Sequence, residues 1–140
     1  MKRNERGSSL IEATVLGVVI LAPLIWALTM LAGVHEASLA ATAAVREAGA
    51  EAARSSNEAD ARAAIDRAVV QAFSDQGIDP SNARINLRGA EGFVRGGIVE
   101  IEVQYPVSVL RAPFFGVADG PSVWVKARHI AQIDPFGSRP

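Results

Sequence analysis

Residues 13–34 read ATVLGVVILAPLIWALTMLAGV, an uncharged apolar run of 22 residues around which the rest of the chain is arranged. A helix of this length is about 33 Å long, which matches the roughly 30 Å hydrocarbon core of a bilayer. Gly17 and Pro23 are tolerated in membrane helices more readily than in soluble ones. Because a 140-residue chain has little other apolar mass with which to surround this cylinder, the run predicts a membrane-spanning helix rather than a core helix.

The charges on either side of the run predict its orientation. Three cations lie within the first six residues, whereas the first Lys or Arg after the run is Arg46. The positive-inside rule then places the N-terminus in the cytoplasm and the remaining residues outside, in a single-pass cytoplasmic (inner) membrane protein. A cleaved secretory signal is the competing interpretation, because small residues follow the run, but its apolar region is normally only about 7–15 residues long.

A lone carboxylate, Glu12, stands directly before the apolar run and five residues after Gly7. At the start of a helix, the macrodipole and headgroup water tolerate such a charge without any further role. If the chain is cut between Gly7 and Ser8, however, Ser8 carries a free amine one helical turn from Glu12. In a filament of packed helices that carboxylate can neutralise the amine of a neighbouring copy. Since an unpaired charge there is costly, the pairing also sets the axial stagger of the copies.

The segment after the span, residues 35–56, is rich in alanine and is expected to continue the same helix outward as a stalk. Alanines recur at helical spacing along it, at positions 37, 40, 41, 44, 48 and 52. Such a stripe of small residues lets another helix approach closely. Two interpretations stay open: the stripe packs on the protein's own domain, or it forms an interaction stalk.

A second helix is predicted at about residues 58–76. Residues 55–57 (SSN) break the first helix and cap the second. At its other end Gly77 fits a left-handed cap, and Ile78 is expected to reach back to Phe73, the contact typical of a Schellman motif.

From residue 85 the apolar period changes from 3.6 to 2, which predicts strands at 85–87, 99–109 and 123–133. Pro106 suggests that the middle strand is bent or edge-exposed at that point. The expected fold class is α+β: a long N-terminal transmembrane helix continuing into an Ala-rich stalk, then a second helix packed on a small three-stranded antiparallel sheet. The predicted regions are a basic leader at 1–7, a transmembrane helix at 8–34, the stalk at 35–56, the α+β domain at 57–133 and a loose tail at 134–140.

The polar residues of the strands favour structural roles. Glu100 and Glu102 share one face, and Lys126 and Arg128 have the same spacing on the next strand, which predicts a cross-strand charge ladder rather than a pair of catalytic carboxylates. His129 has the parity of the apolar residues around it, so a tucked histidine is favoured over a catalytic base.

Nothing in the sequence favours an enzyme. The chain has no cysteine and two widely separated histidines, and the glycines of 89–97 have neither dinucleotide nor P-loop spacing. The net charge of −1 and pI near 6.1, without a basic cluster outside the leader, argue against nucleic-acid binding. We therefore expect no catalytic residue, no metal or other cofactor, no nucleic acid and no small-molecule substrate.

Three aromatic residues are candidates for a protein interface. Trp124 has the parity of the charged residues on its strand, and Phe114 and Phe115 follow Pro113 in a loop. Exposed aromatics can anchor an interface, although loop aromatics also fold back over the rim of a small sheet.

Residues 6–26 (RGSSLIEATVLGVVILAPLIW) and 34–54 (VHEASLAATAAVREAGAEAAR) resemble the TadE-like pseudopilins of tight-adherence (Tad, Flp-type) pilus systems. The similarity lies in the Arg-Gly-Ser start, the glutamate, the proline in the span and the Ala-rich Arg-Glu-Ala segment, while Ala13 stands where the family often has Phe or Tyr.

The resemblance implies cleavage after Gly7 by a prepilin peptidase. It also implies a structural or assembly role in a Tad-type pilus or related secretion apparatus, as a minor pilin. The implied partners are the membrane, other pilins or pseudopilins and pilus assembly proteins. The alternative is an uncleaved single-pass membrane protein whose outer domain is a protein-binding module at the cell surface.

Overall fold

The computed structural model describes residues 5–55, 57–89, 94, 96–108 and 121–133, with the side chains of all of these except residues 5–8 and 10. The elements, in chain order, are helix α1 (Glu5–Arg54), helix α2 (Glu58–Asp75), a 3₁₀ turn (Pro80–Asn82) and the strands β1 (Arg84–Arg88), β2 (Ile98–Ser108) and β3 (Ser122–Gln132). Together they confirm the α+β class.

Helix α1 is unbroken over 50 residues, a length of about 75 Å. Pro23 lies inside it, and the helix continues on both sides of this residue. Between Ser9 and Ala32 almost every described side chain is exposed, whereas from Gly33 onward one face of the helix is buried. The prediction that the apolar helix continues without a break into the alanine-rich segment is confirmed.

Both ends of α2 have the predicted caps. The backbone N–H of Asp60 donates to Asn57 Oδ1 at 2.8 Å, which satisfies a donor in the first turn. At the other end Gly77 has φ +68°, and the N–H of Ile78 donates to the carbonyl of Phe73 at 2.9 Å. This is the Schellman motif, which requires a left-handed residue and therefore favours glycine.

The sheet has the order β1-β2-β3, with both pairs antiparallel. The backbone N–H of Ile133 donates to the carbonyl of Gly97. Because hydrogen-bonding groups alternate in direction along a strand, the backbone N–H and C=O groups of odd-numbered β2 residues point to β3, and those of even-numbered residues point to β1. The pairing with β1 ends at Gln104. Pro106 therefore lies just beyond that pairing, where its missing N–H leaves no ladder bond unmade.

The core lies between the two helices and one face of the sheet. Helix α1 packs against α2 and also against β2 and β3, so α1 is the helix that chiefly covers the sheet. Helix α2 lies beside it and reaches the sheet through Phe73, whose ring centroid is 4.9 Å from that of Tyr105. The buried cluster comprises Ala40, Ala41, Ala44, Val45, Ala48 and Ala52 of α1, Ile65, Ala68, Val69, Ala72 and Phe73 of α2, and Val99, Ile101, Val103 and Ile133.

The alanine stripe of α1 thus packs on the protein's own domain, the first of its two interpretations. Ala40, Ala44, Ala48 and Ala52 have no exposed surface at all. Alanine side chains are short enough for α2 and the sheet to approach the α1 backbone closely. We call the part of α1 from Gly33 onward, together with α2 and the sheet, the C-terminal domain.

Candidate functional sites

The start of α1 contains the predicted processing site. Residues Gly7 and Ser8 are helical, and Glu12 follows on the same helix, so Ser8 and Glu12 are one turn apart along α1. Residues separated by four positions lie on the same face of a helix. The backbone therefore has the geometry on which the sequence argument about Glu12 relies.

Glu12 is exposed and is surrounded by apolar side chains. It shares an open groove along the helix surface with Ile11, Val15, Leu16 and Val19, which are all more than half exposed. Among the side chains that the structure describes, none forms an ion pair with Glu12. A carboxylate that becomes surrounded by apolar side chains in an assembly is stabilised by a cation or a strong donor, so this surface is compatible with a positively charged partner.

The helix that follows Glu12 is long and apolar enough to cross a membrane, and no part of its most apolar window is buried inside the protein. A core helix of a soluble protein would bury this window. Large side chains such as Ile11, Val19 and Leu31 instead expose about two-thirds of their surface. Helix α1 is therefore compatible with a single-pass membrane anchor.

The outer face of the sheet, which points away from α1, carries the predicted charge ladder. Arg128 is the register partner of Glu102, and its Nε lies 3.1 Å from Glu100 Oε1. That oxygen is shielded from solvent and is not aligned for a hydrogen bond. Its negative charge is therefore stabilised by the electrostatic attraction of the Arg128 guanidinium. Lys126 is the register partner of Gln104. The carboxylates of the middle strand thus face cations, as expected of structural ion pairs.

Glu102 is held ionised by its surroundings. The hydrogen bond that the Gln104 side chain donates to it lowers the pKa of the Glu102 carboxyl below its ordinary value. Burial acts in the opposite direction, and the nearby charges of Arg88, Lys126 and Arg128 lower the pKa further. A carboxyl with a lowered pKa is a poor proton donor at neutral pH, which favours a structural role over acid catalysis.

Trp124 is the one predicted interface aromatic that the structure describes, since Phe114 and Phe115 lie outside the described residues. It is 38 % exposed on the outer face of β3. The guanidinium carbon of Arg84, from β1, lies 4.5 Å from the centroid of its ring, a cation–π contact. The alternation of side chains along each strand places both residues on this face. Only the register of β1 and β3 on the intervening strand β2 brings the two side chains together.

The two histidines have separate structural positions. His35 is exposed on α1, just after the apolar run. His129 is half-buried between β3 and α1, as the tucked-histidine interpretation expects, and it lies against Gly49. A Cβ on Gly49 would come within 2.5 Å of His129 Cδ2, so only glycine fits this crossing without a shift. Nothing in the local sequence signals this contact.

Within the described ranges no three His, Cys, Asp or Glu side chains are grouped as metal ligands. Residues 1–4 of the leader and residues 134–140 of the tail also lie outside the described residues. Comparison of the chain with protein-family models, curated proteins and solved structures finds no match. The interpretation of its function therefore depends on its own residues.

Proposed function

We propose that this protein is a TadE-like pseudopilin, a membrane-anchored structural or assembly subunit of a Tad-type pilus or related secretion apparatus. The observation that carries the proposal is Glu12, an exposed carboxylate on an apolar helix surface, one turn after Ser8. After cleavage between Gly7 and Ser8 by a prepilin peptidase, the free amine of Ser8 supplies a cation for this surface.

In the proposed assembly, the Ser8 amine of one copy pairs with Glu12 of a neighbouring copy or related pseudopilin. Four residues of helix separate the two groups, which corresponds to an axial offset of about 6 Å between neighbours. The exposed apolar surface of α1 packs against other α1 helices in the membrane or in the filament. In this topology the leader is cytoplasmic and the C-terminal domain is outside the cytoplasmic membrane.

The deciding test of processing is the intact mass of the protein extracted from host membranes, with and without the prepilin peptidase. We expect residues 1–7 to be absent only when the peptidase is present. A full-length chain in both strains would support the uncleaved surface protein instead, and a cut beyond Gly33 would identify a secreted domain.

The role of Glu12 is tested by Glu12→Ala, with Glu36→Ala as the matched control on the same helix. Both glutamates are exposed, but Glu36 lies after the apolar run. We expect Glu12→Ala to remain in the membrane while piliation falls at least tenfold, and Glu36→Ala to assemble normally. Normal piliation in Glu12→Ala would remove the assembly role given to this residue.

A second candidate is the uncleaved single-pass protein whose outer domain binds a partner. The contact between Arg84 and Trp124 favours it, because exposed Trp and Arg side chains are common anchors of protein interfaces. The mass measurement separates the two candidates, since only the pseudopilin loses its leader.

A further inference from the structure

Strands β2 and β3 run along the axis of α1. At one end, a Cβ on Gly33 would lie 3.9 Å from Val107 Cγ1, and at the other, a Cβ on Gly49 would lie 3.4 Å from the Cβ of Ala131. These glycines are 16 residues apart, about 24 Å of helix. Val123, the register partner of Val107, is eight residues from Ala131, about 26 Å of strand. The two lengths agree, so the strands and the helix are nearly parallel.

This alignment places one end of the sheet at the end of the apolar run. Gly33 is the penultimate residue of the run 13–34, and the polar residues His35 and Glu36 follow it. If the run fills the hydrocarbon layer, Gly33 lies at its boundary, and so does the end of the sheet formed by Val107 and Val123. The opposite end, at Ile98 and Gln132, is about 30 Å farther from the bilayer.

Trp124 follows Val123 directly and is therefore about 3 Å beyond this boundary. The headgroup layer on each side of a bilayer is roughly 5–7 Å thick, so the indole lies within it. Lys126, two residues farther along β3, is about 10 Å beyond the boundary, and its long side chain can reach back to this layer. Within the described part of the chain neither Arg84 nor Lys126 forms a salt bridge, although Lys126 acts at longer range on Glu102 and Arg84 stacks on Trp124.

We propose that the corner of the sheet formed by Arg84, Trp124 and Lys126 binds the headgroup layer of an anionic bilayer. Trp is enriched at the membrane–water interface because its ring is apolar and its N–H is polar. Arg84, stacked on the exposed ring, and Lys126 are placed to bind lipid phosphates. The corner therefore holds the sheet against the membrane and fixes the C-terminal domain relative to α1. This inference rests on the membrane span of the proposed function, and it does not depend on cleavage or assembly.

The test uses the full-length protein in vesicles of phosphatidylcholine and phosphatidylglycerol, with nitroxide quenchers at the headgroup or deep in the acyl chains. The chain has two tryptophans, so Trp26→Phe leaves Trp124 as the only emitter. We expect the headgroup quencher to reduce its emission at least twofold, and the deep quencher to have little effect. Adding Arg84→Gln and Lys126→Gln should weaken this quenching, as should vesicles without phosphatidylglycerol.

Two control variants make the outcome unambiguous. Trp124→Phe leaves Trp26, which lies near the middle of the span and should be reduced by the deep quencher. The triple variant Trp26→Phe/Trp124→Phe/Ile130→Trp places the emitter about 20 Å farther along the same face of β3, where neither lipid quencher should act. Ile130 is 62 % exposed, so a larger side chain fits there.

If Trp26 is quenched by the deep probe but Trp124 is unaffected by the headgroup probe, the proposed membrane contact is wrong. The exposed Trp124 then belongs to a protein-binding surface. If Trp26 itself is not quenched, α1 does not span the bilayer, and the proposed pseudopilin topology is wrong as well. Quenching of the Ile130→Trp variant to the same extent as Trp124 would contradict the upright orientation of the sheet.

Discussion

The two halves of helix α1 are built in opposite ways. Between residues 11 and 32 most side chains are large and apolar, and nearly all are exposed; Ile11 and Leu31 show 66 % and 65 % of their surface. Between residues 37 and 52 the stripe consists of alanines, and it is completely buried. In a water-soluble helix the larger apolar residues would be the buried ones.

The contrast is compatible with a different environment around each half. A helix whose described side chains are apolar and exposed on all sides is suited to a hydrocarbon environment. A helix with one thin stripe of small residues needs close contact with protein on that side. Because α1 is continuous, the change at Gly33 marks the boundary between the two environments in the proposed membrane topology. Substitutions that are equivalent in chemistry should therefore have different effects in the two halves.

The largest effect is expected for a charge placed in the middle of the span. Leu24 is 52 % exposed, so Leu24→Arg introduces no clash within the protein. It should cost membrane insertion about 2.5–3.5 kcal/mol, roughly a hundredfold in the apparent insertion equilibrium. The measurement is the fraction of chain that resists carbonate extraction, with Leu24→Ala as the control. A protein that stays inserted but loses its folded domain would show that Leu24 faces protein rather than lipid.

The next effect compares the same substitution in both halves. Ala44 has no exposed surface, whereas Ala27 is exposed. Ala44→Leu overpacks the contact of α1 with its own domain and should lower the free energy of unfolding by about 1–3 kcal/mol. Ala27→Leu should leave that free energy unchanged. Urea unfolding in detergent, followed by circular dichroism, measures the free energy of unfolding of both variants, provided that the m-value is unchanged. Equal unfolding midpoints for Ala44→Leu and Ala27→Leu would refute the distinction between the halves.

A smaller effect is expected for glycine, again as a pair. Gly49→Ala improves helix propensity by about 1 kcal/mol but drives a methyl group into His129, so we expect a net loss of stability of about 1 kcal/mol. Gly17→Ala meets nothing within 4 Å and should not destabilise the protein. The double variant Gly49→Ala/His129→Ala should be more stable than additivity predicts, because it removes the clash. An additive result would contradict the assigned contact.

The smallest effect concerns pH and belongs to the C-terminal domain alone. Because the folded-state pKa of Glu102 is lowered, its contribution is fully present above the ordinary value near pH 4.5 and is lost as the pH falls through the folded-state value. Glu102→Gln should therefore be less stable than wild type at neutral pH, and the difference should shrink below about pH 4.5. Thermal unfolding between pH 7 and pH 3 measures it, and a constant difference would argue against ionisation of Glu102 as the cause.

Local features of the chain were predictable because they depend on neighbouring residues. The caps of α2 at Asn57 and Gly77 follow from the hydrogen-bonding needs of helix ends, which a few adjacent residues satisfy. The alternation in β2 and β3 follows from the two-residue period of a strand, and with it the face of Trp124. The ion pair between Glu100 and Arg128 needed only parity and an antiparallel neighbour.

Contacts between distant segments were not predictable in the same way. The sequence analysis predicted that α2 covers the sheet, whereas α1 makes most of the helix–sheet contact. Both helices carry an apolar stripe that could cover a sheet, so the hydrophobic pattern alone does not show which of them does. The pairs Arg84–Trp124 and Gly49–His129 join segments 40 and 80 residues apart in the chain. Their existence depends on strand register and on the position of the sheet along the helix, neither of which has a local signal.

The order of residues along the chain was enough to predict the membrane-length helix, the α+β class, the strand faces and the position of Glu12 beside Gly7 and Ser8. These properties follow from composition, period and spacing, which are local. Only the packing of distant segments showed that α1 contributes to the core of the C-terminal domain and that the sheet lies along it with Val107 beside Gly33. Several packings of segments far apart in the chain are compatible with the same hydrophobic pattern. The shape of the side chains and the strand register determine which of these packings forms.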